Sequence, residues 1–417
     1  MANLDTTALS AVLKTKYTQK AVRNLCYPKN PFFAMVQKRT DFNGKNKVVA
    51  FQNGSPQGLG TSVANAQAGK TASVYNAVTV TRNAYYVTAS VTGEAIRASK
   101  GDTGALIEGL TREVDNAYYS IVRQISAALF RNGGGAIGQI SLGSTVASAI
   151  ITLSTPADVV NFEVGMKLSA SADDGTAAAG LRSAGAVVTL QAIDRDLGTL
   201  TASGGNWSGG IAALAAGDYL FRNSNAGALT SDYNAVIKGV PAWTPATAPG
   251  GADSFFGLNR SSDATRLAGI RYNGNGGPIE ETLIEAAARA VRESASPTHV
   301  WMNPLDASNL VKALGSKVLY DRSKSLSDPD FAFSSIKLIG PAGDLDVVRD
   351  LNVPKGTCFM TQTDAWYLES AGDMPSILDD DGLTIIRSAT SDDYEVRIGY
   401  YGQLICEAPG WNVNITL

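Results

Sequence analysis

The sequence is poor in the residues that build metal centres and disulfides. It contains one histidine, His299, so a zinc site or a Ser-His-Asp triad would have to depend on that single imidazole. Its three cysteines, Cys26, Cys358 and Cys406, are far apart and odd in number. They predict reduced, packed thiols in a cytosolic protein rather than a disulfide framework.

Long hydrophobic runs are also missing. No stretch approaches the roughly 18 apolar residues of a membrane-spanning helix. The opening MANLDTTALS has no basic segment followed by an apolar one, so we expect no secretory signal. Hydrophobic residues nevertheless make up 44% of the 417 residues, against 18% charged. That is enough apolar material for large cores, and wholesale disorder is excluded.

The formal net charge of −3 conceals two charged ends. Residues 1–47 carry nine Lys and Arg against two acids, whereas residues 363–417 carry two Arg against ten acids. Solubility explains any single charge most simply. Opposite charges at the two ends also suit copies that meet in an assembly, or an arm that lies on a polyanion. No basic domain with a recognisable motif indicates sequence-specific nucleic-acid binding.

The first 92 residues predict an arm, a loop and short strands rather than a compact domain. Residues 1–46 contain a short helical stretch and then two prolines, Pro28 and Pro31, which predict an irregular basic arm. Residues 53–73 are small, polar and glycine-rich, which predicts a long flexible loop, and loops of this length are usually functional. Strand patterns flank the loop at 47–52, 78–81 and 85–92.

The strongest predicted element is a long amphipathic helix. Apolar residues recur every three or four positions from Leu106 to Ala128, and the glycines at 133–135 end the pattern. We therefore expect a helix over 104–131, about 42 Å long at 1.5 Å per residue. Residues 138–224 have no helical pattern and predict a separate, inserted β module, with a hairpin of 187–193 and 199–201.

The remaining sequence predicts a mixed α/β domain. Pro278 is expected at the first position of a helix whose apolar stripe is Leu283, Ala287, Ala290 and Val291. A strand at 299–302 and a helix from Asn303 to Gly315 should follow. Further strands are predicted at 335–339, 345–349, 357–361, 382–387, 394–406 and 411–417.

Several motifs suggest chemistry but lack the structural context that it needs. Residues 64–71 (ANAQAGKT) fit a relaxed Walker A pattern, yet a strand pattern follows where a helix is required. Residues 133–138 match GxGxxG but follow a helix. Residues 379–382 lack the spaced ligands of a calcium loop, and Asp392, Asp393, Glu395 and His299 fit ordinary strand positions. We expect no catalytic, cofactor-binding or metal-binding residues, and no enzymatic activity.

Six short strings and the order of the segments resemble a known family. The strings are 255–261 (FFGLNRS), 266–269 (RLAG), 278–281 (PIEE), 301–304 (WMNP), 394–397 (YEVR) and 406–410 (CEAPG). The chain is similar, over essentially its whole length, to the major capsid (coat) protein of tailed bacteriophages, of the Hong Kong 97 (HK97) type.

The resemblance implies an α+β, HK97-like capsid fold with an all-β insertion domain. The implied divisions are an N-terminal arm (1–46), an extended loop (47–75), a peripheral domain with a spine helix (76–137), the inserted β domain (138–224), a peripheral-domain return (225–278), an axial domain (279–376) and C-terminal strands that return to both (377–417).

The function implied by the resemblance is structural, with no cofactor. Copies would self-assemble into pentamers and hexamers of the icosahedral shell that encloses phage double-stranded DNA. Expected partners are other copies, a separate scaffolding protein (since no long helical pro-region precedes the arm), a portal protein, decoration proteins and, non-specifically, packaged DNA. No membrane partner is expected; the shell would be assembled in the host cytoplasm and remain as the virion capsid.

The arm and the loop are the expected sites of inter-subunit contact, because both bury little within their own subunit. The candidate residues are Lys14, Lys16, Lys20, Arg23, Phe32, Phe33 and Lys70. Lys70 resembles the family's cross-linking lysine, but no acceptor asparagine is matched and no covalent cross-link is claimed. Two alternatives stay open: a hydrolase-like enzyme with a β appendage, and a phage or bacterial surface adhesin.

Overall fold

The computed structural model describes residues 30–93, 103–177, 179–227, 230–314, 336–372, 375–378, 382, 384–387 and 392–417. Within these ranges the chain forms three six-stranded sheets, a two-stranded ribbon and seven α-helices. The helices are α1 (Pro31–Met35), α2 (Val63–Ala68), α3 (Thr103–Leu129), α4 (Trp207–Gly210), α5 (Val240–Trp243), α6 (Ile279–Arg292) and α7 (Pro304–Leu314). No helix in the described ranges is long and apolar enough to span a bilayer.

The first sheet is built around one long strand near the end of the chain. Its strands are β1 (Gln37–Arg39), β4 (Asn83–Thr92), β16 (Trp366–Ser370), β17 (Ser376–Ile377), β18 (Ile386–Arg387) and β19 (Asp393–Cys406). β19 pairs antiparallel with β4 on one side and with β16, β17 and β18 on the other. The expected strand at 382–387 is therefore shorter, and the one at 394–406 begins one residue earlier.

The predicted spine helix is confirmed as α3, within two residues at each end. It packs on β4 and β19 through the periodic apolar side chains that the sequence singles out, of which Ala117, Ile121, Ile125 and Ala128 are buried. Since residues at i, i+4, i+8 and i+11 lie on one helical face, this stripe covers the sheet.

The second sheet lies entirely within residues 136–222. Its strands are β5 (Ala136–Gln139), β6 (Ile150–Thr152), β7 (Lys167–Ser171), β8 (Val188–Asp194), β9 (Thr199–Ala202) and β10 (Tyr219–Arg222), in the spatial order β5-β10-β7-β8-β9-β6. The predicted hairpin is confirmed as the antiparallel pair β8–β9. Trp207, Phe162 and Leu220 belong to a buried apolar cluster contributed wholly by this part of the chain.

The entry to this sheet is a tight backbone crossing. A Cβ added to Gly134 would lie 2.0 Å from the Asp174 carbonyl oxygen, and one added to Gly135 would lie 2.1 Å from that of Asp232. Gly135 also has φ +95°, a conformation that favours glycine. The glycines here therefore allow close packing of three chain segments.

The third sheet joins the mixed α/β region to the C-terminus. Its strands are β11 (Ile270–Asn273), β12 (His299–Met302), β13 (Ile336–Gly340), β14 (Gly343–Arg349), β15 (Thr357–Thr361) and β20 (Val413–Thr416), in the order β11-β20-β15-β12-β14-β13. The predicted strand at 411–417 is shorter than expected because residues 409–411 form a 3-10 turn. The helix predicted from Asn303 to Gly315 is α7.

Helix α6 lies against this third sheet with a stripe slightly different from the predicted one. Leu283, Ala287 and Ala290 are buried as expected, but Val291 is 42% exposed and Ala286 is buried instead. The burial at 283, 286, 287 and 290 follows the i, i+3, i+4, i+7 pattern of one helical face. Pro278 is the N-cap rather than the first helical residue.

The predicted flexible loop is in fact part of an ordered two-stranded ribbon. Strands β2 (Asn46–Gly54) and β3 (Val74–Thr81) pair antiparallel from Asn46–Thr81 to Gly54–Val74. The intervening residues 55–73 form the tip and include α2, whose N-cap Ser62 accepts a hydrogen bond from the Asn65 amide. The strands predicted at 47–52 and 78–81 are therefore confirmed, and most of the predicted loop at 53–73 is the segment that joins them.

Candidate inter-subunit surfaces

The ribbon has both buried and exposed apolar side chains. Val49, Val78 and Val80 are buried in the core that α3 and the first sheet share. Five apolar side chains of the ribbon and its tip are at least half exposed; they are Val48, Leu59, Val63, Val74 and Tyr75. Large apolar side chains that the subunit itself leaves uncovered are typical of an interaction site when they form a patch.

Lys70 lies at the exposed end of this tip. It follows α2 and Gly69 and precedes β3, so no helix N-terminus is directed at a site beside it. Thr71 instead uses its hydroxyl to accept a hydrogen bond from the Gln57 amide, which closes the tip. The segment 64–71 therefore has a local structural role, and its geometry is not that of a phosphate-binding loop.

The described end of the arm is packed inside its own subunit. Phe32 is 1% exposed, with its ring centroid 4.9 Å from those of both Phe130 and Trp301. Its backbone N–H donates to the buried carboxylate of Asp350 at 3.3 Å. The expectation that Phe32 contacts a neighbouring subunit is therefore wrong, because its side chain is already surrounded by intramolecular aromatic rings.

Phe33 differs from Phe32 because its ring is only half-buried. Its carbonyl accepts a hydrogen bond from Lys38 Nζ at 2.9 Å, and the same ammonium lies 4.8 Å from the ring centroid. After α1 the chain runs as β1, parallel to β16, so the arm enters the first sheet as an edge strand. The four basic candidates Lys14, Lys16, Lys20 and Arg23 lie outside the described residues, and their role stays a prediction.

Charged and polar contacts hold the ribbon at its root, through Lys47, and at the far end of β2, through Asn53. Lys47, in β2, forms an ion pair with Glu369 in β16, and its Nζ lies 3.6 Å from Asp41 Oδ2. Arg266 Nη1 donates to the Asn53 carbonyl at 2.8 Å. Burial raises the pKa of the Glu369 carboxyl, against the opposing effect of Lys47.

A strained turn supports the other strand of the ribbon. The Thr79 amide in β3 donates to the Phe256 carbonyl at 3.1 Å. Phe256 has φ +49°, which is rare for a bulky residue, and it packs on Trp243 and Phe255. The turn formed by FFGLN therefore binds β3 of the ribbon. This contact could not be predicted from local sequence, because Thr79 and Phe256 are 177 positions apart.

The residues considered for chemistry have structural partners. His299 is half-buried, its Nδ1 lies 2.8 Å from the hydroxyls of Thr298 and Thr363, and its ring stacks on Trp301. Burial lowers the pKa of this imidazole. Asp392 pairs with Arg387 at 2.7 Å and Glu395 with Arg397 at 3.1 Å. Asp379–Asp381 lie outside the described residues.

Within the described ranges there is neither a metal-binding cluster nor an activated cysteine. No group of three His, Cys, Asp or Glu there is arranged to hold a metal ion. Cys358 and Cys406 are buried, and burial raises the pKa of both thiols, so neither is an activated nucleophile. Cys26 lies outside the described part of the chain.

A cavity of about 640 Å³ lies between α3 and the second sheet. Arg222 and Asp232 line it; burial lowers the pKa of the guanidinium and raises that of the carboxyl. Gln124 on α3 donates to Asp232 at 3.1 Å. These groups connect helix and sheet, and they do not set a nucleophile beside a general base as a hydrolytic site requires.

Comparison with known proteins identifies the fold. No protein-family model and no curated protein matches the sequence. Among solved structures, the chain is similar to a cyanophage A-1(L) capsid asymmetric unit at 12% identity and a TM-score of 0.55, over 97% of this chain and 96% of that chain. It is also similar to the capsid of a native GTA particle, at 9% identity and a TM-score of 0.51, over 100% of this chain and 99% of that one.

These likenesses define the class of structure. The chain has the HK97-like fold of phage capsid proteins, as its sequence strings and segment order predict, and it is mixed α/β with many strands. Glu369, Asp350 and Arg266 are the structurally important residues that sequence reasoning missed. Each meets its partner across more than 200 positions, and no local pattern signals such a contact.

Proposed function

We propose that this protein is a major capsid protein of a tailed bacteriophage, and that its copies assemble as pentamers and hexamers into the icosahedral shell around double-stranded DNA. The observation that carries the proposal is a capsid fold extending over 97% of the chain. The ribbon, which exposes apolar side chains, supports the same conclusion.

The ribbon gives assembly a physical driving force. Burying one exposed Leu, Val or Tyr side chain fully contributes about 1.5–3 kcal/mol. Five such side chains on a projecting element favour contact with an adjacent copy, although buried area does not convert directly into affinity. Each copy would donate its ribbon and receive another, so the small gain per contact is repeated around a closed ring.

The remaining partners follow from the charge of the termini. The basic segment 1–47 suits contact with an acidic scaffolding protein or with packaged DNA, and the acidic segment 363–417 suits contact with basic surfaces of neighbouring copies. A separate scaffolding protein, a portal protein and decoration proteins complete the proposed partners. Assembly would occur in the host cytoplasm and the product would be the virion capsid.

Residues 138–224 are proposed as an inserted β domain that faces outward. Support comes from a sheet confined to residues 136–222 and from a buried apolar cluster of its own. The chain enters and leaves this region beside α3, near Gly134 and Asp232. A domain with its own core and adjacent ends can be inserted into a host fold with little disturbance.

The two alternative functions gain no support. A hydrolase-like enzyme would require a nucleophile and base in one pocket, and the groups described above are paired structurally. An adhesin is not suggested by either capsid likeness. A structural, shell-forming role is therefore the function that fold and surface support together.

Assembly of the purified protein tests the proposal. Size-exclusion chromatography with light scattering, followed by electron microscopy, should show pentamers, hexamers or shells, with scaffold added if needed. Leu59→Asp should block assembly, whereas Leu197→Asp, at an exposed leucine in the turn between β8 and β9, should not. A wild-type protein that stays monomeric at high concentration with scaffold present would contradict the proposal.

A further inference from the structure

The root of the ribbon contains an unusual ionic contact among three separate parts of the chain. Lys47 belongs to the ribbon, Asp41 to the last part of the arm, and Glu369 to the first sheet. The ion pair between Lys47 and Glu369 spans 322 positions in sequence. One side chain thus connects a projecting element to the rigid body of the subunit.

Glu369 depends on Lys47 more than a surface carboxylate would. Its side chain is 0% exposed, whereas those of Lys47 and Asp41 are 30% and 65% exposed. Its Oε2 atom is buried and has no hydrogen-bond partner among the described residues. A buried carboxylate with one cationic partner is strongly destabilised when that partner is removed.

Among the described residues, Glu369 is in register with one neutral amide and with one cation that is engaged elsewhere. It is opposite Gln403 in β19 and opposite Arg39 in β1. Arg39 lies over the Tyr367 ring at 3.8 Å and pairs with Glu407 at 3.1 Å. The nearest other carboxylate is Asp41, whose pKa is lowered chiefly by a hydrogen bond with Glu369, while burial raises that of Glu369. A proton on Glu369 therefore competes with Lys47 for the same carboxylate.

We propose that Glu369, Lys47 and Asp41 form a proton-sensitive latch that fixes the direction in which the ribbon leaves the subunit. The ribbon itself stays folded when the latch opens, because its own strands remain paired. The inference deepens the proposed function, since it assigns the control of ribbon placement in assembly to residues outside the contact surface.

The ribbon is long enough for a change of direction at its root to be measurable at its tip, and the Arg266–Asn53 hydrogen bond at the far end of β2 is the contact that would have to yield. The nine residues of β2, at about 3.3 Å each, make the ribbon roughly 30 Å long. A rotation of about ten degrees at the root then moves the tip by about 5 Å on this length. Leu59 at the tip and Val291 on α6 are both exposed and suit spin labels on introduced cysteines.

The decisive experiment compares single and double variants by pulsed electron paramagnetic resonance and thermal melting. In a Cys26→Ser background carrying Leu59→Cys and Val291→Cys, Lys47→Met should lower the melting temperature. Adding Glu369→Gln should restore melting, because no buried charge is left unpaired, and yet leave the label distance shifted or broadened. Arg387→Ala, which breaks an exposed ion pair away from the ribbon, is the control that should change neither reading.

Two results with the double variant would overturn the latch. One is a double variant with the wild-type label distance, since the ribbon direction would then not depend on the ion pair. The other is a double variant whose melting stays as low as that of Lys47→Met, since the three residues would then support folding alone. As the pH is lowered, the label distance in the wild-type protein should broaden before exposed carboxylates titrate, whereas that in Glu369→Gln should not change. Equal responses of the two proteins would also refute the latch.

The same proteins separate this inference from the proposed function. All distances are measured on unassembled subunits, so they report the latch whether or not shells form. A wild-type protein with a working latch that never assembles would contradict the capsid proposal alone. Normal shells from a double variant with a displaced ribbon would contradict only the control of assembly assigned to the latch.

Discussion

Replacing Phe32 tests where the arm is held. The ring is 1% exposed and sits 4.9 Å from both Phe130 and Trp301, so Phe32→Ala leaves a cavity among aromatic side chains. A buried Phe→Ala substitution costs about 3–5 kcal/mol. Met35, on the same short helix, is 39% exposed, and Met35→Ala should change stability by about 0.5 kcal/mol or less.

Urea unfolding of the unassembled subunit measures the difference. Far-ultraviolet circular dichroism follows the whole chain, and tryptophan fluorescence should change near the altered site because Trp301 touches the Phe32 ring. Phe32→Leu should fall between wild type and Phe32→Ala, since more of the cavity stays filled. Equal midpoints for Phe32→Ala and Met35→Ala, with assembly lost only in the former, would refute the reasoning and return Phe32 to an inter-subunit role.

Three further outcomes are expected. Residues 136–224 expressed alone should give a dispersed NMR spectrum typical of strands, and a spectrum without dispersion would contradict an autonomous inserted domain. Neutralising Lys14, Lys16, Lys20 and Arg23 together should reduce assembly yield without changing subunit melting, and wild-type yield that is equal at low and high salt would show that these charges only aid solubility. Because burial lowers the pKa of His299, the unfolded state binds more protons below about pH 6.5; stability should fall there on acidification, and less so in His299→Gln.

Local periodicity predicted the elements whose buried face can be recognised within one segment of the sequence. α3 follows from the repeat that ends at Ala128, and the β8–β9 hairpin from two strand patterns separated by a turn. The error in the α6 stripe concerns one position at its edge. Ala286 lies on the buried face and Val291 does not, although valine is the more hydrophobic residue. Sequence patterns specify a face, and its exact edges depend on what packs against it.

The contacts of the ribbon and the packing of the arm could not be derived in this way. The strand patterns at 47–52 and 78–81 predict the ribbon strands, but not their contacts with Phe256 and Arg266. Phe32 lies in a basic, proline-containing stretch, and only the tertiary structure brings Trp301 to it. The same holds for Glu369, whose ion pair joins positions 322 apart. Contacts of this separation leave no local signature.

The pairing of β4 with β19 has a consequence for synthesis on the ribosome. Asn83, early in the chain, pairs with Gly402 near the C-terminus. The first sheet therefore lacks its central strand, β19, until the C-terminal residues emerge. The second sheet draws all its strands from residues 136–222, and its pairings close over shorter separations. Because contacts between residues that are close in sequence form early, this sheet should form on the nascent chain while the edge of β4 that pairs with β19 is still unpaired. Premature contact between nascent chains would then occur at β4, the site where a chaperone would protect folding most.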